Sequence, residues 1–244
     1  MDFQIIVFVI ATFFISAFLK GITGLGFSTI CLPILTFMID LKSSIPLVIL
    51  PSISSNILVM LNAGNFSVAA KRFWKMYLSA IPGLILGLWV LNSVNSSSAR
   101  AFLGVVLLIY TIWALSRSEF VLSARTASCL TIPVGTLTGF VNGVTGSQMI
   151  PILPYLLSLK LEKNLFVQSI NISFTLSSLV MLIGLGGLGL LDQQTLFLAG
   201  GGIIPVAIGI KLGGKIRKHI TDEIFRKLVL IFLILVAFSL IARI

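Results

Sequence analysis

Lys20 is the one basic residue embedded within an apolar run rather than beside a loop, and a glycine-rich stretch, Gly21-Ile-Thr-Gly24-Leu-Gly26, follows it directly. A second stretch, Gly139-Phe-Val-Asn-Gly143-Val-Thr-Gly146, lies in the other half of the chain. Glycine lets backbone take positive φ and lets other chains approach closely. At membrane depth such breaks are tolerated only where they are buried in protein or line a wet cavity. A helix restarting after each break, near Phe27 and near Ser147, would aim unpaired N–H groups and a partial positive charge at the gap. That is anion chemistry. Thr23, Ser28, Asn142, Thr145, Ser147 and Gln148 supply side-chain donors around it, with Gly24, Gly26, Gly143 and Gly146 as backbone contributors. Asn56 and Asn171 belong to the helices that follow each break; amides are costly in lipid, so they face protein or a cavity. Gly21, Pro33, Gly139 and Pro151 are the candidate hinges. The bland readings are glycine as a helix-packing residue and Lys20 snorkelling to an interface.

The rest of the chain must hold these stretches in a bilayer. Of its 244 residues 57% are apolar and only 10% charged, with a mean hydropathy of +1.14, against about 25% charged residues in a soluble domain. Apolar runs recur at about 3–39, 44–63, 76–93, 100–116, 126–159, 164–187, 194–212 and 224–242. They lack the alternation of a membrane strand, so they are helices, and no stretch between them suffices for a soluble domain. The expected fold is an all-α polytopic membrane protein, one transmembrane domain over 1–244. The net charge of +10 sits in short loops, where it orients the chain against an anionic leaflet; nucleic acid is not the expected partner, the lipid bilayer is. Cys31 and Cys129 fall inside apolar runs and imply no disulfide framework. The N-terminal MDFQIIVFVI lacks the basic region of a signal peptide and reads as a retained segment.

Two runs, 3–39 and 126–159, are over-long and carry the glycine stretches. If both enter and return on one side, Lys71, Arg72, Lys75, Arg117, Arg125, Lys160, Lys163 and the basic residues of 211–227 share a face, opposed by only Lys42, Arg100 and Arg243. Positive-inside bias favours this arrangement over eight simple crossings. Each half (about 1–118 and about 124–244) is then a glycine-broken helical hairpin plus three spans. Two similar halves with an odd number of crossings must be inverted, the plan of secondary transporters. The order Gly-rich break, short apolar run, then Pro33 or Pro151 and Pro154, recurs in both.

Every Asp and Glu falls in a terminus or loop, and the single His, His219, lies in a basic loop. A buried proton relay therefore has no candidates, no metal set or cofactor motif is present, and for an intramembrane enzyme the plentiful serines have no embedded general base other than Lys20. A negative interior favours anion exit by about 2.3 kcal/mol per charge per 100 mV.

Phe18-Leu-Lys-Gly-Ile-Thr-Gly-Leu-Gly-Phe27 with Leu32-Pro33-Ile-Leu resembles the first-half glycine motif of the sulfite exporter TauE/SafE family. Pro51-Ser-Ile-Ser-Ser-Asn56 is similar to the polar start of its next helix. Gly139–Gly146 and Ser169-Ile-Asn-Ile-Ser-Phe174 occupy the equivalent places in the second half. The resemblance covers essentially the whole chain. It implies transport of a small anion such as sulfite, a sulfonate or a related organic anion across a plasma membrane of the bacterial inner-membrane kind. Ser147-Gln148 after Gly146 departs from the fuller glycine run of many members. The alternatives are a non-transporting membrane scaffold or assembly factor and, further off, an intramembrane enzyme.

Overall fold

A computed structural model describes residues 3–24, 26–115 and 121–216. The last apolar segment, 224–242, lies outside the described residues, as do Arg117, Glu119, Arg217, Lys218, His219, Asp222, Glu223, Arg226, Lys227 and Arg243. The described residues form helices and turns with no strand: α1 (Phe3–Thr23), α2 (Phe27–Leu35), α3 (Leu41–Ala63), α4 (Phe66–Ser93), α5 (Ser96–Leu115), α6 (Ala124–Thr145), α7 (Ile152–Ser158), α8 (Lys163–Gly187), α9 (Gln193–Gly201) and α10 (Ile203–Ile216). With α9 and α10 taken as one run, seven helices are long and apolar enough to cross a membrane. Large apolar side chains such as Ile183 and Phe197 are 76% and 86% exposed, an arrangement that suits lipid and not water. This is a polytopic helical membrane protein.

The two over-long segments divide unequally. In each, a helix of full spanning length is followed by a short one. The first break is confined to Gly24–Gly26, and α2 begins at Phe27 as expected. The second runs from Gly146 to Pro151, and the helix restarts at Ile152, not near Ser147. Pro151 explains the delay: it offers no N–H, and it pushes the residue before it away from helical geometry. Gly21 and Gly139, at the outer edges of the predicted breaks, lie inside α1 and α6. After the first break the chain folds back on α1: the Phe27 ring meets Phe13 with centroids 6.2 Å apart. After the second, Leu122 N–H donates to the Ser158 carbonyl at 3.2 Å, and Tyr155 Oη donates to the Ala127 carbonyl at 3.0 Å. Both long segments thus return to the end where they began.

Glycines decide which helices touch. Along α1, Phe14, Phe18 and Gly21 pack on Gly209, Ile210 and Gly213 of α10; a Cβ at Gly21 would stand 2.5 Å from the Ile210 carbonyl oxygen. Along α4, Ala80, Gly83, Leu84 and Gly87 pack on Thr136, Gly139, Phe140 and Gly143 of α6, again backbone against backbone. Residue numbers rise together in both seams, so each pair is parallel. Small residues permit this approach, and with no hydrophobic drive between helices in lipid, close packing is what holds them.

The ends of the helices sort by charge. Lys42 donates to the Asn92 carbonyl at 3.4 Å, and Arg100 pairs with Asp40 at 3.6 Å, bringing the starts of α3 and α5 to the end of α4. Lys71, Arg72 and Lys75 begin α4, Arg125 begins α6 parallel to it, Lys160 and Lys163 follow the return of α7, and Lys211 and Lys215 end α10, alongside the end of α1. The described basic residues expected to share a face lie at one end of the bundle, opposite Lys42 and Arg100.

Candidate binding site between the two breaks

The sequence Phe18-Leu-Lys-Gly-Ile-Thr-Gly24 recurs as Phe140-Val-Asn-Gly-Val-Thr-Gly146, and the two copies fold alike. Gly24 and Gly146 take left-handed φ of 79° and 70°, the conformation that ends a helix most cheaply at glycine. Their N–H groups donate back to the Lys20 and Asn142 carbonyls at 2.6 and 2.7 Å. The preceding Thr23 and Thr145 hydroxyls bond the Leu19 and Val141 carbonyls at 3.0 and 2.7 Å. The equivalent of Lys20 is therefore Asn142, and Gly21 matches Gly143. The order-based match of Gly21–Gly26 with Gly139–Gly146 is shifted in register.

A small cavity lies where the breaks meet. It is lined by Ser28 and Leu32 of α2, Ile45, Val48, Ile49 and Ser52 of α3, Asn142, Gly146 and Gln148, and Ser178 and Met181 of α8. At about 10 Å³ it has room for roughly one water centre. Its polar wall is partly satisfied: Ser28 Oγ donates to Ser52 Oγ at 3.1 Å, and Gln148 Nε2 donates to Ser178 Oγ at 3.1 Å. The remainder is not. Asn142 is 1% exposed with neither amide atom hydrogen-bonded, and Gln148 Oε1 is equally alone. A buried polar group left unpaired costs about 1–3 kcal/mol, so these amides are poised for something the cavity admits. Thr29 and Ser147 hydroxyls meet at 3.2 Å, bonding one break to the other.

Lys20 does not line this cavity. It is fully buried, and its Nζ donates to Ser55 Oγ at 3.0 Å and to Asn56 Oδ1; it does not snorkel. Ser55 in turn bonds the Ser52 carbonyl at 2.7 Å, so the ammonium ends a polar line that reaches the cavity wall. The described acids Asp40, Glu162 and Asp192 sit at helix ends, away from it. Asp192 caps α9, and its bond to Thr195 holds its carboxyl below the usual carboxylate range.

Of the residues singled out from sequence, the structure brings Ser28, Asn142, Gly146 and Gln148 to the cavity. Lys20 and Asn56 form the neighbouring cluster. Thr145 holds the break by accepting from Ser147 N–H at 3.0 Å, and Gly26 lies next to Met149. Gly143 packs against Leu84 and Gly87. Asn171 donates to the Val167 carbonyl at 2.8 Å. Pro33 lies within α2, and Pro151 precedes α7 after a cis peptide bond. Ser52 and Ser178 were missed as lining residues.

Among the described residues, seven candidate spans surround a partly polar cavity with no carboxylate in its wall, close to two helix breaks, an arrangement that fits a membrane transporter. A family model described as Sulfite exporter TauE/SafE matches residues 8–240, and the chain belongs to that family of membrane transporters. No curated protein and no solved structure matches it.

Proposed function

We propose that the protein is a secondary transporter of a small anion, such as sulfite, a sulfonate or a related organic anion, working by alternating access. The observation that carries this reading is the cavity with its wholly unpartnered Asn142 amide, whose N–H groups are free to meet a ligand. Amide N–H groups stabilise an oxyanion without a proton relay, and no described carboxylate repels it.

The cavity also divides two bodies. The seams join α1 to α10 and α4 to α6, so a rocking of the first sequence half against the second would tear both. The moving units are instead α1–α3 with α9–α10, and α6–α8 with α4. Ser28, Leu32 and the α3 residues line the cavity from one unit, and Asn142, Gln148, Ser178 and Met181 from the other. An inverted relation between the halves is supported by the matching seams: α4 runs antiparallel to α3, α6 parallel to α4, and α1 alongside α3. In its present contracted form the cavity is too small for an oxyanion of four or more heavy atoms, so it represents a closed state that opens when the units part.

The basic end faces the cytoplasm of a plasma membrane of the bacterial inner-membrane kind, and the membrane potential favours outward movement. Flux of radiolabelled sulfite and of alkanesulfonates in proteoliposomes tests the assignment. Saturable movement of at least one supports it, and none from folded protein refutes it.

A further inference from the structure

We propose that Lys20 and Asn142 exchange roles during turnover, so that Lys20 meets the anion in the conformation opposite to the one seen here. This rests on the transport reading above and concerns how one site presents itself to two sides.

The two copies of the motif share a fold and a set of contacts, but not a hydrogen-bonding state. In the second copy Asn142, Gly146, Gln148 and Ser178 line the cavity, and the Asn142 amide has no partner. Their counterparts at equal spacing are Lys20, Gly24, Gly26 and Asn56. In that copy the polar groups close on themselves: Lys20 is held by Ser55 and Asn56. The equal spacing extends beyond the motif. Gly24 and Gly146 stand the same distance ahead of Asp40 and Glu162, which precede α3 and α8 with similar extended backbone, ψ 146° and 141°. The seams correspond too, with Phe14 and Phe18 on Gly209 and Gly213 matching Thr136 and Phe140 on Gly83 and Gly87. Asn142 of one copy faces the cavity, and Lys20 of the other is closed on Ser55 and Asn56.

A protein built from two such copies reaches its second state at little cost by letting them trade conformations. Lys20 would then leave Asn56 and line the cavity, while Asn142 closes on the Ser177–Ser178 turn. Asn56 Nδ2, buried and unpartnered now, would turn to the anion as well. The halves differ in one decisive respect: only the first carries a charge. The anion meets amides alone on one side of the cycle, and an ammonium on the other. Affinity is therefore unequal on the two faces, and a singly charged anion leaves the Lys20-facing site neutral.

The test measures KM for radiolabelled sulfite and for ethanesulfonate in right-side-out and inverted membrane vesicles, at zero potential and equal pH. The wild-type values should differ between faces by about tenfold or more, since a unit charge at contact distance is worth at least that much at an effective dielectric near 20. Equal wild-type values overturn the proposal without any variant. Lys20→Asn should make the two faces alike, and Lys20→Asn with Asn142→Lys should reverse the inequality. A uniform loss on both faces in Lys20→Asn, with the ratio kept, also overturns it. If wild-type vesicles move neither anion, the transport reading itself fails; if they move one with equal affinity from both faces, that reading stands and only this inference falls.

Discussion

Replacing Asn142 by Leu should make the protein more stable and less able to transport. Leu and Asn carry the same number of side-chain heavy atoms, so the 10 Å³ cavity is not overfilled. Leu would sit among Leu32, Ile45, Val48, Ile49 and Met181, which already form the apolar part of the wall. The substitution removes two buried amide atoms with no partner, a cost of about 1–3 kcal/mol in water-soluble proteins. Within a membrane bundle such terms run smaller, so a gain of about 1 kcal/mol is expected. That corresponds to a rise of roughly 2–4 °C in Tm for a chain of this size. Flux falls for the same reason that stability rises. The amide bond to a charged ligand is worth about 1.5–3 kcal/mol, and its loss should cut kcat/KM tenfold or more. Trp74, Trp89 and Trp113 allow unfolding in detergent to be followed by intrinsic fluorescence, with anion flux from the same preparation. A lowered Tm would mean that Asn142 is satisfied in the fold. An unchanged flux would remove it from the site.

Three further outcomes follow from the packing. Gly139→Ala places a Cβ against the Ala80 carbonyl, where only backbone can yield, so it should lower stability by about 1–3 kcal/mol; Gly214→Ala, with nothing within 4 Å, should leave Tm unchanged or slightly raised, and equal behaviour of the two would deny the α4–α6 seam. Gly146→Ala meets both a left-handed backbone and Leu32 Cδ1 at 2.6 Å; strain of about 1–2 kcal/mol and a distorted cavity should weaken flux more than Gly64→Ala, which shares the positive φ but has open space around it. Single cysteines replacing Lys71 and Lys215 should react with a membrane-impermeant thiol reagent from one side, and one replacing Lys42 from the other; labelling of Lys71 and Lys215 sites from opposite sides would discard the topology.

How much of this could be read from sequence follows from what each signal measures. Apolar run length reports the need to satisfy backbone in lipid, and it located the spans. Charge placement reports orientation, and it anticipated that Lys71–Lys75 and Lys211–Lys215 share an end. Glycine, in contrast, has two uses with one spelling. Gly24 and Gly146 end helices through positive φ, whereas Gly21, Gly139 and Gly143 admit a neighbouring helix. The runs Gly21–Gly26 and Gly139–Gly146 mix the two, and for that reason order alone set the register of the repeat wrongly. Identity at Gly-Ile/Val-Thr-Gly would have set it correctly. Ser52 and Ser178 were not singled out because a serine in a span bonds its own helix as readily as a ligand, and only a cavity tells these apart.

The glycine seams bear on how the chain is made as well as on how it moves. Each joins a helix of the first half to one of the second: α1 waits for α10, and α4 for α6. Once the first half has entered the bilayer, its smoothest faces are bare until the second arrives, with only lipid to cover them. A chain halted near residue 118 would hold its spans but not its packing. The packing is thus complete only once α10 has closed on Phe14 and Phe18.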